Sequence, residues 1–394
     1  MTSNRNHEPR DPLGVSRRTF LRAAGAGTAY LALPGCGDDG GAPDARPGPG
    51  TPDAPPADAG AVDARPDRYA ELDTDSYLGA VEVVATIAGD AFLEGPAMGP
   101  DGNIYFTNVT SSQILVFTPD TGPGAVAELR AGSNAANGLL FAPDGRLIVC
   151  EGGVLTGTAT ATGKGRVIAI DLDTGDEEVL ADAYLGQDLQ PPNDIASATV
   201  AAGTRYYVSS RPNALDATDE AAGTINAVYR IDPDRSVHRL LGWPMVDKPN
   251  GLVTSPDGAL LYLIDAHGGV NKRRHITAHD IDADGDLANG RVIYDFYPGR
   301  SGDGMAIDEQ GNLYVAAGLH NLRSTSETLD TRPGIHVISP QGQLLAFRET
   351  PVDLVTNCTF GGDDLKSLYV TCGNLLLRMP TVIAGKAAYL TARR

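Results

Sequence analysis

Six oxygen-bearing side chains head a phrase that this chain repeats: Glu94, Asn137, Asn193, Asn250, Asp303 and Asn357, at intervals of 43 to 57 residues. Each is followed by a short apolar run, a tight turn and a second apolar run, as in NGLVTSPDGALLYLIDA from Asn250. Two carboxylates and four amides, with no His or Cys among them, would form a hard, all-oxygen site if brought together. Such a set suits Ca²⁺, which takes about 6 to 8 oxygen ligands with water completing the shell. Zn²⁺, Mn²⁺ and Mg²⁺ are the other divalent ions to consider. No CxxC or close Cys/His grouping exists to make a structural zinc site. A purely structural role, capping strands at turns, becomes less credible when all six repeat positions carry such a residue.

The elements that must position these side chains follow from the same phrase. Asp-Gly between two apolar runs is a hairpin signal, because the turn needs positive φ and glycine supplies it. Two more strand candidates follow each hairpin, for example QILVFTP and AVAELR in the first repeat. Four antiparallel strands per repeat and six repeats predict an all-β, six-bladed β-propeller. The sixth repeat offers only LLLRMPT after its hairpin, and VEVVATIAG, residues 81–89, is the strand predicted to complete it. That closure joins the two ends of the chain in one blade and leaves few open sheet edges.

In such a ring the first strand of each blade lines the central channel. The long connections, 151–165, 211–224, 266–275 and 317–334, must emerge on the same face as the leading residues. Glu151, Arg211, His267, His320 and Arg323 lie on them and are candidates for contact with substrate, as are Asn137, Asn193 and Asn357 within the channel. Two local look-alikes carry no such weight. DIDADGDLANGR from Asp280 starts like a calcium loop but has Arg291 where a bidentate Glu is needed. GTATATGKG from Gly157 lacks the spacing and the Ser/Thr of a phosphate loop, and there is no G-x-S-x-G elbow.

Ahead of the repeats stand two other segments. Residues 1–36 contain SRRTFLR, with Arg17 and Arg18, then a mildly apolar run ending in LPGC at Cys36. This resembles a twin-arginine export signal with a lipobox, and it is too short for a membrane span of about 20 apolar residues. The expectation is an exported periplasmic or cell-envelope lipoprotein, tied to a membrane only through Cys36. Residues 37–76, rich in Gly, Pro, Ala and Asp, read as a disordered tether, and 77–394 as the propeller domain. A net charge of −19 excludes nucleic acid and anionic membrane surfaces, both of which need a basic footprint. Cys358 and Cys372, on neighbouring strands of the last repeat, either pair in an oxidising compartment or stay as buried thiols. Nothing in the sequence fixes an oligomeric state.

LEGPAMGPDGNIYFTN, NGLLFAPDGRLIVCEGG, PPND, KPNGLVTSPDGALLYLIDAH and GDGMAIDEQGNLYVAAG resemble the motifs of the gluconolactonase, regucalcin and luciferin-regenerating enzyme family. The resemblance covers about Val81 to Pro380. It implies one divalent metal, usually calcium, held by Glu94, Asn193, Asn250 and Asp303. Gly302 stands where the family's fourth motif has Pro, and Gly152 where its second commonly has His. The implied chemistry is ring opening of a sugar-type lactone. A metal polarises the carbonyl, and Asp303 acts as general base for water. The alternatives are hydrolysis of organophosphates or aryl esters at the same site, with Asp303 as nucleophile, and a non-catalytic propeller that binds a ligand.

Overall fold

The computed structural model describes residues 67–119, 122, 124–153, 164–212, 218–219 and 224–386. The export signal, Cys36 and most of the tether lie outside these residues, as do parts of the connections 151–165 and 211–224.

Six four-stranded antiparallel sheets make a six-bladed propeller. The innermost strands are Leu93–Met98, Ala136–Phe141, Pro192–Val200, Pro249–Thr254, Gly302–Ile307 and Val355–Gly361. Blades are numbered 1 to 6 in that order. Each inner strand packs against those of its two neighbours, and the sixth packs against the first, so the ring is closed. Closure comes from the strand Glu82–Thr86, which pairs with Leu375–Pro380 as the outer strand of blade 6. This is the arrangement that the short sixth repeat predicts.

A blade has two apolar faces, so its inner strands alternate little: Leu313–Ala317 is buried throughout, whereas the outer strand Val126–Ala131 is largely exposed. Between blades 3 and 4, Tyr207 and Val228 pack on Leu252, Leu261 and Leu263. Between blades 2 and 3, Ile148, Val167 and Ala169 meet Tyr206, Val208 and Tyr229. Full burial of such a side chain stabilises by about 1.5–3 kcal/mol, so these interfaces hold the ring together. The short turns follow the sequence signal. In blade 1 the Asp101 carboxylate accepts the Asn103 N–H (3.1 Å), and Gly102 takes φ +81°. The Asp280 look-alike is a turn between the outer strands Arg274–Ile281 and Leu287–Asp295 of blade 4.

Within the segment read as a tether, 37–76, the described residues from Asp67 on pack on blade 5. Tyr69 stacks on Phe347 at 4.5 Å between ring centroids, its hydroxyl lies 3.0 Å from His336 Nε2, and Asp67 pairs with Arg332 at 2.9 Å. Aromatic contact at Tyr69 helps to offset the ordering entropy of these residues. Cys150, Cys358 and Cys372 are free and buried. Cys358 Sγ donates to Tyr314 O (3.2 Å) and Cys372 Sγ to Val352 O (3.3 Å), so of the two readings of that pair the thiols hold.

Candidate functional site

At the mouth of the channel every inner strand breaks register with its neighbour. The shifts fall at Glu94/Ala97, Ala136/Leu139, Pro192/Ile195, Pro249/Leu252, Gly302/Met305 and Val355/Asn357. These positions coincide with the leading residues of the six repeats. A bulge frees a residue from the ladder and re-aims its side chain, which is how a strand turns a polar group to the axis without losing the pairing below it.

The residue after each leader sets how closely the next blade approaches. A Cβ on Gly95 would lie 2.0 Å from Asn137 O, one on Gly138 2.7 Å from Asn193 O, and one on Gly251 2.5 Å from Asp303 O. On Gly304 it would lie 2.0 Å from Asn357 Cγ. Between blades 6 and 1 the Thr356 hydroxyl donates to Leu93 O (2.7 Å). Leaders on adjacent blades are therefore packed shoulder to shoulder around the axis.

Glu94, Asn193, Asn250, Asp303 and Asn357 are all buried, and Asn137 is partly so. Asn250 Nδ2 donates to Asp303 Oδ1 (2.5 Å), which leaves the Asn250 carbonyl oxygen as its remaining polar atom. Asp303 Oδ2 receives Arg300 Nη2 at 3.2 Å, and Arg300 Nη1 lies 3.8 Å from Glu327 Oε1. Glu94 Oε2 accepts the Gly95 N–H (3.3 Å). Among the described residues no group of three or more His, Cys, Asp or Glu side chains is placed to hold a metal. A cation here would rest on amide oxygens as well as carboxylates. Glu94 and Asp303 bring carboxylates, and Asn193 and Asn250 bring amide oxygens, the all-oxygen donor chemistry that a hard divalent cation takes.

Three participants escaped the sequence reading. Asp194 follows Asn193 at the position where four of the other five repeats have glycine, and that departure is the signal that marks it. Its Oδ2 accepts Asn357 Nδ2 from blade 6, on the opposite side of the ring (3.3 Å). Burial pushes its carboxyl up to about 7; hydrogen bonds from Ile195 N–H and the Asn357 amide oppose the rise, and the charge of Asp303 adds to it. Arg300 and Glu327, the other two, carry no repeat signal. Below the ring a cavity of about 210 Å³ runs from Asp194 and Asn357 to Lys386, which donates to Ser255 O (2.8 Å) and Thr254 Oγ1 (3.0 Å).

The roofing-loop candidates have other partners. Glu151 is fully buried, bonded to Arg166, with Arg130 Nη2 at 3.6 Å and Asn134 Nδ2 at 3.3 Å. His267 is buried and its Nδ1 accepts the Gly269 N–H (2.9 Å). His320 Nε2 lies 2.9 Å from Thr350 O, and its N–H donates to Asp353 (2.6 Å).

Closed propellers with a polar ring at one channel mouth form the class to which this fold assigns the chain. Residues 92–374 match the SMP-30/Gluconolactonase/LRE-like region family, and the chain belongs to it. It is therefore a member of a gluconolactonase-like lactone hydrolase family. A gluconolactonase of Zymomonas mobilis is 27% identical over 79% of this chain and 85% of its own length. Regucalcin of Oryctolagus cuniculus is 29% identical over 55% of this chain, a match spanning 66% of the rabbit protein. Among solved structures, XC5397 from Xanthomonas campestris, described as a gluconolactonase, is similar with a TM-score of 0.61 and 26% identity, covering 79% of this chain and 96% of that one. The calcium-binding protein regucalcin of Agrobacterium tumefaciens shares the fold with a TM-score of 0.58 at 18% identity, over 78% of this chain and 96% of that one.

Proposed function

We propose that the chain is an exported, calcium-dependent hydrolase that opens a sugar-type lactone at the ring of polar side chains. Glu94, Asn193, Asn250 and Asp303 would hold the metal. When bound, calcium supplies positive charge that polarises the lactone carbonyl. Asp303 takes the proton from the attacking water. Asn250 and Arg300 grip one oxygen each of that carboxylate and fix its orientation. Glu94 serves the metal alone. Asn137 and Asn357 orient water or substrate from neighbouring blades. Burial of these groups excludes bulk water, which strengthens each electrostatic contact.

What supports this reading is the contact between Asn250 and Asp303 on neighbouring blades, whose inner strands break register at the same level as those of Glu94 and Asn193. Arg17, Arg18 and Cys36 support export and lipid anchoring. Metal analysis of the purified domain, with a panel of lactones, phosphotriesters and aryl esters assayed with and without chelator, tests it. Lactone hydrolysis that chelator abolishes and calcium restores is expected, and loss of a general base in Asp303→Asn lowers kcat by about 10²–10⁴-fold. Turnover at wild-type rates in that variant removes Asp303 from the mechanism. Preference for phosphotriesters overturns the substrate class.

A further inference from the structure

Arg211 is 7% exposed, yet its Nε and Nη1 have no hydrogen-bond partner among the described residues. A buried guanidinium without a partner is costly, and it stands out in a chain whose net charge is −19. Its position follows from register. Ser210 pairs with Pro192 on the inner strand and with Ala227 on the third strand, so Arg211 occupies the next rung towards the channel mouth, opposite Asn226. Its N–H donates to Pro191 O (2.9 Å). Tyr207, four residues earlier on the same strand, packs on blade 4, and alternation puts Arg211 on that same face.

Asn226 shares this face, since its Nδ2 donates to Asp247 O of the segment entering blade 4 (2.6 Å). It is 1% exposed, and its Oδ1 has no partner among the described residues. Two donors and an acceptor without partners among the described residues therefore occupy facing positions of blade 3, on the side of blade 4. They stand one rung above Pro192 and beside the segment that leads to Asn250. Two residues along a strand are about 6–7 Å, a distance that a six-carbon sugar acid bridges from its carbonyl end to its far end.

We propose that Arg211 and Asn226 form a subsite for a carboxylate and a neighbouring hydroxyl, so that the substrate is a hydroxylated lactone bearing a free carboxylate. This rests on the lactonase reading above. The guanidinium takes the carboxylate in a charge-assisted pair, and the Asn226 carbonyl accepts the hydroxyl. Arg211 is then a specificity-determining residue, and the ring chemistry is untouched by it.

The test compares glucaro-1,4-lactone with glucono-1,4-lactone, which share a ring and differ in the terminal carboxylate, on wild type, Arg211→Gln and Arg211→Lys. Wild type is expected to favour the carboxylate-bearing lactone. Arg211→Gln should raise KM for it by about 10–100-fold at unchanged kcat, as loss of a charged hydrogen bond implies, with little change on the neutral lactone. Arg211→Lys should restore part of the loss. The melting temperature of Arg211→Gln without ligand should equal or exceed that of wild type, since an uncompensated buried charge has gone. Equal losses on both lactones, or a lowered melting temperature, make Arg211 structural and overturn the proposal. So does a wild type indifferent to the carboxylate, which leaves the lactonase reading standing. If wild type hydrolyses neither, the lactonase reading falls, and calorimetry with glucarate decides the subsite. Binding that Arg211→Gln abolishes upholds an anion site, and no binding ends it.

Discussion

Replacing Glu151 with Gln separates a structural carboxylate from one that meets substrate. Its side chain is 0% exposed and is enclosed by Arg166, Arg130 and Asn134, so the substitution leaves two arginines facing a neutral amide. Breaking a buried ion pair costs about 3–5 kcal/mol. Here the arginines keep 22% and 30% of their surface, and Glu177, 2.7 Å from Arg130 and 3.8 Å from Arg166, can take up part of their charge. Those two facts bring the expected cost down to about 2–3 kcal/mol. At about 2 °C per kcal/mol for a domain of this size, the melting temperature should fall by about 4–6 °C. A thermal melt of the purified domain reads this directly, and KM for a lactone, taken well below the transition, should match wild type. A melting temperature within about 1 °C of wild type, together with about a tenfold higher KM, would refute the structural assignment and return Glu151 to the substrate.

Two further perturbations follow from the ring and its surroundings. Gly251→Ala places a Cβ 2.5 Å from Asp303 O and 2.7 Å from Gly304 Cα, so blade 5 must shift; a cost of about 1–3 kcal/mol and a large loss of kcat are expected, whereas wild-type kinetics would mean the close approach is not needed. His336 is fully buried, and burial lowers its pKa to about 3, so the fold keeps it neutral while the unfolded chain protonates near its ordinary 6.5. The stability it retains above pH 6.5 is lost as pH falls towards 3, by about 1.4 kcal/mol per pH unit. The urea stability of wild type relative to His336→Gln should therefore drop between pH 7 and pH 5, and a constant difference would show that His336 is not the group responsible.

Much of the fold was legible because the repeat is written in turn chemistry and two-sided apolar strands. PDG turns, the 43 to 57 residue spacing and the missing outer strand of the last repeat were enough to predict six blades closed by residues 81–89. The leading residues were legible for the same reason: each occupies one place in a periodic pattern. Asp194 was visible only as an exception to that pattern. Arg300 and Glu327 come from loops without periodicity, and their partnership with Asp303 exists only in three dimensions. The arginine partners of Glu151 were not legible, because a carboxylate at the end of a strand reads alike whether it faces a ligand or two arginines. The packing of Asp67 and Tyr69 on blade 5 was hidden in a stretch whose composition argues for a tether, since it rests on one aromatic residue and one ion pair.

The clasp that closes the ring makes both ends of the propeller answerable for its mouth. Glu94 lies in the first blade, but its neighbour on one side is blade 6, which contains the strand Leu375–Pro380. The pairing of that strand with Glu82–Thr86 secures blade 6, and with it the Asn357 amide that Asp194 meets across the axis. A substitution that loosens this pair would therefore be felt at the polar leaders of the mouth, far along the chain from either strand.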